Sequence, residues 1–373
     1  MKIKIIGGGP AGLYFALLMK KSNPAHDITL IERNAPGDTF GWGVVFSDKT
    51  LSYLESSDAE SCARITESFE TWDNVDVVHK GERVTIRGNK FSGIARIELL
   101  NILQQRCRNL GVDLRFRCQA SAANIYADAD LIVGADGVNS SVRQSFSKFF
   151  QPSLSAGANK YIWYGTRALF HGLTLTFRET LAGVFAAHSY KFNKQMSTFI
   201  VECDMETWTR AGLDKTSDEA TRAYLSEVFA DDLGGHELLS NNSKWINFVN
   251  VRNEHWSHRN IVLLGDALHT AHFSIGSGTK LALEDAIALH KCFADTQDVT
   301  TALHEFERAR KPVIEAYQEA AHESRVWFER AKDYTHLDPL TFAYKLMTRS
   351  KKISHDNLQR RDSQFIAAYE KSR

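Results

Sequence analysis

The chain has 373 residues, 43% of them hydrophobic and 24% charged, and its 45 basic and 45 acidic side chains cancel to a formal charge of zero. That length suits one large domain or two interleaved ones with a sizeable core, and zero charge excludes a globally basic nucleic-acid binder. No apolar stretch approaches the ~18 residues of a membrane span. Five scattered cysteines (Cys62, Cys107, Cys118, Cys203, Cys292) fit neither a disulfide framework nor a zinc motif, so a cytoplasmic, enzyme-sized globule without a metal site is expected.

The first strand, Lys2 to Ile6, starts almost at once, and no secretory signal is expected before it. A tight glycine turn, a helix from Ala11 to Lys21 and a strand Ile28–Ile31 closing on Glu32 form a βαβ unit. Residues 94–110 have helical apolar spacing stopped by Gly111, with a strand near Val112–Phe116 next. Leu131–Ala135 reads as another short buried strand. Between about 160 and 250, strand-like runs such as Tyr161–Tyr164 and Met196–Val201 dominate, interrupted by a helical insert near 217–230. The parallel-sheet pattern returns at Asn260–Asp266, a long helix runs from about Thr279 to Phe293, and the rest is mostly helical. The expected class is α/β (α+β). A Rossmann-like dinucleotide-binding domain takes residues 1–75, 94–150 and 255–300, a β-sheet substrate domain takes 76–93 and 151–254, and a helical segment takes 301–373.

Gly7-Gly8-Gly9-Pro10-Ala11-Gly12 satisfies G-x-G-x-x-G between a strand and a helix. Gly7, Gly9 and Gly12 permit the turn, and Pro10 and Ala11 open the helix whose backbone N–H groups would meet a pyrophosphate. Glu32, twenty residues after Gly12 and followed by Arg33, stands where a carboxylate takes both hydroxyls of an adenosine ribose. An unphosphorylated ribose follows, hence FAD or NAD.

Leu264-Gly265-Asp266-Ala267-Leu268-His269, then Gly276-Ser277-Gly278 and a helix bearing Glu284 and Asp285, resembles the G-D segment of flavoprotein aromatic hydroxylases. Asp136-Gly137-Val138-Asn139-Ser140-Ser141-Val142-Arg143 resembles their D-G-x-x-S-x-x-R motif, and Arg96 resembles the arginine that reaches the flavin's phosphate–ribityl region. With these four elements in order, the chain is similar to the class A FAD-dependent monooxygenases of the p-hydroxybenzoate hydroxylase superfamily. The runs Phe40–Phe46, Lys160–Thr166, Met196–Cys203 and Leu268–Gly276 look like the hydroxylase portion of salicylyl-CoA 5-hydroxylases and 2-aminobenzoyl-CoA monooxygenase/reductases. They are also similar to violacein-pathway hydroxylases. The reductase-type domain of the bifunctional relatives is not expected in this chain.

The resemblance implies FAD as cofactor, with Asp266 on the ribityl chain, Asp136 nearby, and Gly276 and Gly278 opening a helix toward the flavin pyrimidine edge. It implies NADH or NADPH and O₂ as co-substrates, and an electron-rich ring attacking a flavin C4a-hydroperoxide. The substrate implied is a small aromatic molecule carried as a CoA thioester, first salicylyl-CoA going to gentisyl-CoA. Alternatives are 2-aminobenzoyl-CoA, 4-hydroxybenzoyl-CoA, a violacein-type indole or, in a different class, a non-hydroxylating FAD-fold carrier or reductase. Trp42 and Phe46, read as lying in the loop after the second strand, are expected to wall the ring pocket. His272, four residues before Gly276, is the expected proton handler, and His188, Tyr190 and Tyr164 are expected in the roof in structural rather than catalytic roles. Phe273 and Lys280 depart from the family's proline and asparagine. From Arg330 to Arg373 ten Lys/Arg stand against five Asp/Glu, and the cluster Arg349, Lys351, Lys352, Arg360, Arg361 offers cations for CoA phosphates. No nucleic-acid or membrane partner is expected; a homo-oligomer is allowed.

Overall fold

A computed structural model describes residues 1–120, 128–296, 298–350 and 352–372, so Lys351 of the basic cluster lies outside the described residues. Short aliphatic runs build the first sheet: β1 (Lys2–Ile6), β2 (Asp27–Ile31), β8 (Asp113–Arg115), β9 (Leu131–Gly134), β16 (Ser257–His258) and β17 (Ile261–Leu263). Their order is β16–β17–β9–β1–β2–β8, parallel except for the β16–β17 pair. The chain therefore leaves β1 toward β2 and β8, then returns to place β9 on its other side. That reversal opens a crevice at the carboxyl ends of β1 and β9, where open α/β sheets bind ligands. Helices α1 (Pro10–Ser22) and α4 (Arg96–Leu110) pack against each other beside this sheet, and α2 (Asp48–Ser57) and α3 (Ala59–Glu67) extend the layer.

The helix expected from residue 94 starts at Arg96 instead. The preceding Phe91–Ala95 is a strand, β7, which pairs with β3 (Gly43–Phe46) and β4 (Glu70–Trp72) in a small third sheet. The second sheet has eight strands: β5 (Val75–His79), β6 (Glu82–Ile86), β10 (Pro152–Thr166), β11 (Leu173–Glu179), β12 (Val184–Lys191), β13 (Ser197–Cys203), β14 (Leu238–Leu239) and β15 (Ile246–Asn253). Alternation along its strands separates two faces. Ile162, Tyr164, Phe185, Phe199 and Val201 pack under α7 (Met205–Arg210), α8 (Asp218–Val228) and α9 (Ala230–Leu233). The opposite face carries Tyr161, Trp163, His188 and Glu202 over the crevice, and farther along Leu175 and Phe177 against the C-terminal helices.

After β9 come α5 (Ser141–Ser145) and α6 (Ser147–Phe150); after β17 comes α10 (Gly278–Asp295), then α11 (Val299–Glu329). The 31 residues of α11 join both halves: Phe306 packs on Trp256 beside the first sheet, and Trp327 and Phe328 pack on Phe177 of the second. α12 (Pro339–Met347), α13 (His355–Arg361) and α14 (Ser363–Lys371) close the far end.

A buried charge network fastens α10 to α11. Asp285 accepts hydrogen bonds at Oδ1 from Arg310 Nε (2.8 Å), and its Oδ2 lies 2.6 Å from His269 Nε2. Arg310 also donates to Glu284 (3.0 Å), which pairs with Lys280 at 3.4 Å, while Lys280 Nζ donates to the Tyr317 hydroxyl at 2.5 Å. Burial works to raise the Asp285 carboxyl, but His269 and Arg310 together hold it below its ordinary range. Removing one partner of such a pair strands a buried charge. Arg310→Met should therefore cost about 3–5 kcal/mol in urea unfolding at neutral pH. A carboxyl lowered in the folded state contributes fully above its unfolded pKa and loses that contribution as pH falls, so the deficit should shrink below pH ~4. An undiminished transition midpoint in the variant would show that the network does not hold the helices.

Candidate active site

The crevice is built from residues without side chains. Gly7 has φ +113°, and a Cβ there would lie 2.1 Å from the Ala135 carbonyl oxygen; one on Gly12 would lie 2.2 Å from the Gly7 carbonyl oxygen. A Cβ on Gly9 or Gly278 would meet nothing within 4 Å, so these two open onto free space. Both stand at helix starts, α1 and α10, and neither helix has a side-chain cap. Uncapped N–H groups and the positive helix ends attract anionic or electron-rich groups.

Glu32 crosses this loop. Its Oε2 accepts from the Gly8 N–H at 2.7 Å, and its Oε1 accepts from the Asn34 N–H and side-chain amide at 2.8 Å each. A Cβ on Gly8 would lie 3.0 Å from the Glu32 Cβ, so a glycine is needed for the carboxylate to reach across. Arg33 is exposed on the same loop. Asp266 sits in a 3₁₀ turn, Gly265–Ala267, with its neighbours buried and its own carboxylate open to the crevice. Surrounding protein pushes that carboxyl up, opposed by Arg96 and His269; burial lowers the Arg96 guanidinium, opposed by Asp266. Asp136 Oδ2 caps its own loop through the Ser141 N–H (2.6 Å) and hydroxyl (2.9 Å), leaving a buried Oδ1 without a partner among the described residues. Arg143 is fully buried rather than on the surface, and ties this loop to the turn of Asp266 by donating to the Val138 (2.5 Å) and Ala267 (2.9 Å) carbonyls. Together these groups fit FAD: the Gly9 and Ala11 N–H groups would take the pyrophosphate, Glu32 the adenosine ribose, Arg96 and Asp266 the middle of the molecule, and the α10 end at Gly276–Gly278 the ring edge.

Beyond Asp266 the crevice becomes an aromatic slot. Tyr161 lies 4.8 Å from Phe273, ring to ring, and Phe248 stands edge-on to His272 at 4.9 Å. Burial, then Asp266, pushes the Tyr161 phenol up to about 12. His272 is buried and lowered to about 4, chiefly by desolvation, with Glu202 opposing. Glu202 is sealed: Oε1 is 2.7 Å from His188 Nε2, and Oε2 accepts from the Asn159 amide at 3.0 Å. Desolvation works to raise it, yet His188, His272 and Asn159 hold it below its usual range.

Several expectations need correction. Phe46 is a strand residue, 1% exposed and packed on Phe69 in the core; alternation along β3 turns Val45 instead toward Gly276, where a Cβ would meet the Val45 side chain at 3.0 Å. Trp42 is not among them: it is half-buried and packs on Gly165, whose Cβ would come within 2.6 Å of the indole, on the β10 face that carries Tyr161 and Trp163 over the crevice. Tyr190 donates to the Gly43 carbonyl (2.8 Å), and Tyr164 belongs to the opposite sheet face, bonded to Asp218 (2.9 Å). The described members of the basic cluster do not converge on one phosphate site. Arg349 folds inward onto Ser324 and Ser274, Arg361 donates to Asn89, Arg360 to its own helix at Asp356, and Lys352 covers the Tyr317 ring. Sequence reasoning gave no role to Glu202, Asn159, Ser274 and Ser324; Glu202 and Ser274 fall within runs that carry the resemblance, but nothing local marks what they bond to.

Residues 111–321 match the sequence model of a family described as an FAD binding domain. The chain is 41% identical to salicyloyl-CoA 5-hydroxylase of a Streptomyces species, over 98% of this chain and 72% of that protein. It is 37% identical to protodeoxyviolaceinate monooxygenase of Chromobacterium violaceum, over 95% of each. To 3-hydroxy-4-methyl-anthranilyl-[aryl-carrier protein] 5-monooxygenase of Streptosporangium sibiricum it is 36% identical, over 89% of this chain and 90% of that one.

The open position at Gly9 separates binding from folding. Gly9→Ala should leave the melting temperature of the FAD-free protein unchanged and weaken FAD at least about tenfold, about 1.4 kcal/mol, in a fluorescence titration. Gly12→Ala, by contrast, should fail to fold. A Gly9→Ala protein that binds FAD like the parent would contradict the pyrophosphate assignment.

Proposed function

The chain belongs to the class A FAD-dependent aromatic monooxygenases, and from that premise we propose that it hydroxylates the ring of an aryl thioester, with salicylyl-CoA going to gentisyl-CoA preferred. One observation carries the reading. Two relatives are named for thioester-bound ortho-substituted benzoyl groups, one with a 2-hydroxyl and one with a 2-amino group, and both are named for carbon 5. Carbon 5 lies para to carbon 2, where lone-pair donation from that oxygen or nitrogen is felt.

The reaction consumes O₂ and NADH or NADPH and returns water and the hydroxylated ring; bound FAD supplies the reduction and activation of oxygen. The protein's share is positioning. Tyr161, Phe248 and Phe273 offer ring faces to a flat substrate and exclude water from the reacting carbon. Glu202 is engaged at both oxygens by His188 and Asn159 and so is held in place behind the slot. A thioester's distant nucleotide would add binding energy that holds the ring in register, so its truncation should lower turnover as well as affinity. The match over nearly the full length of protodeoxyviolaceinate monooxygenase supports a second reading, an indole substrate.

With FAD-loaded protein, kcat/KM for coupled hydroxylation should be about a hundredfold higher for salicylyl-CoA than for free salicylate, about 2.7 kcal/mol. Equal coupled turnover of the two would remove the thioester reading and make the indole substrates next in line.

A further inference from the structure

The polar side chain in the aromatic slot has its hydrogen-bonding sense set from behind. The Ser274 N–H points at His272 Nδ1 (3.4 Å), and a backbone N–H can only donate, so Nδ1 carries a lone pair. The Ser274 hydroxyl is 2.8 Å from the same nitrogen and must give it its proton. Ser274 Oγ is then an acceptor toward Ser324 Oγ, 2.8 Å away. Ser324 in turn accepts from Arg349 Nε at 2.8 Å, and a guanidinium has donors only. The direction is thus determined over the whole chain, Arg349 to Ser324 to Ser274 to His272. Arg349 is fixed in place by two further bonds, to the Leu346 (2.7 Å) and Ser274 (2.8 Å) carbonyls.

A neutral imidazole keeps one ring proton, here on Nε2. Nε2 bonds to no described residue, and it is not among the sealed, unpartnered polar atoms, so it borders open space in the slot. Resting on the ring-hydroxylation reading above, we infer that His272 donates its Nε2–H to an acceptor oxygen of the acyl-aryl substrate, the ring phenol or the thioester carbonyl, and does not act as the base that removes the phenol proton. Ser274, Ser324 and Arg349 are positioning residues that hold this tautomer. The charged and titratable groups facing the ring are Glu202 from β13, His188 from β12, Arg325 from α11 and Arg349 after α12. Glu202 alone favours an imidazolium; burial and the three others oppose it and lower the pKa to about 4, so the ring stays a neutral donor through the working range.

Nitrogen-15 NMR of histidine-labelled, FAD-loaded protein without substrate tests the tautomer, with His272→Gln identifying the signal. The expected spectrum has a pyridine-type Nδ1 and a protonated Nε2 that do not titrate between pH ~5.5 and ~8. A protonated Nδ1, or titration near 6.5, would overturn the inference whatever the substrate proves to be. Kinetics test the role. The glutamine amide can supply a donor near Nε2 but cannot be a base, so His272→Gln should stay within about tenfold of the parent kcat, while His272→Ala falls about a hundredfold. Ser274→Thr should retain activity that Ser274→Ala loses. Equal collapse of the glutamine and alanine variants, both folded and yellow, would make His272 a base and refute the donor. Loss confined to salicylyl-CoA would place the contact on the phenol oxygen; the same loss with 2-aminobenzoyl-CoA would place it on the carbonyl. Should no aryl thioester be turned over, the function reading fails while the NMR result still decides the tautomer.

Discussion

Everything at this site depends on how closely three parallel strand ends approach one another. β1, β9 and β17 lie side by side, and Gly7, Gly134 and Gly265 stand at or just past their carboxyl ends. A Cβ on Gly7 would meet the Ala135 carbonyl, one on Gly134 would crowd Val142 and Leu263 at 2.9 Å, and one on Gly265 would come 2.9 Å from the Ala11 Cβ. Only this closeness lets two helices, α1 and α10, direct uncapped N-termini into one crevice. Arg143 then locks two of the loops together from inside, so a change in either would be felt by the other.

The roof is tied to this floor chiefly through α11. Arg310 on that helix neutralises the acidic pair of α10, Ser324 about four turns later bonds to Ser274 behind His272, and Phe328 reaches the second sheet. One long helix therefore orients α10, His272 and the second sheet. The slot it braces is aromatic, with a neutral histidine and a carboxylate engaged at both oxygens. Such an environment suits a chemistry that must hold a flat ring against a reactive oxygen and keep water away.

Much of the cofactor crevice was legible because its determinants are local. Glycines, a proline and carboxylates at fixed offsets from strand ends report backbone conformation directly, as with Gly7–Gly12, Glu32 and Gly265–Asp266. The fold class followed from strands alternating with helices. Phe46 was misplaced because β3 begins at Gly43, three residues earlier than a loop reading allows, and alternation then decides which side chain faces the core. Composition misled at the C-terminus: Arg349 is basic in sequence but serves buried carbonyls and hydroxyls 25 and 75 residues away. The relay behind His272 and the Glu202–His188–Asn159 cluster join residues distant in the chain, and no spacing rule brings them together.

The central claim is that this crevice and slot insert an oxygen atom from O₂ into an aromatic ring. The most direct measurement is a single incubation of the FAD-loaded protein with NADH, salicylyl-CoA and ¹⁸O₂, followed by hydrolysis of the thioester and mass spectrometry of the acid. Gentisate carrying one ¹⁸O atom on the ring carbon para to the original hydroxyl is the expected product. Oxidation of NADH with hydrogen peroxide as the only oxygen product, across aryl thioesters, free acids and indoles alike, would contradict it.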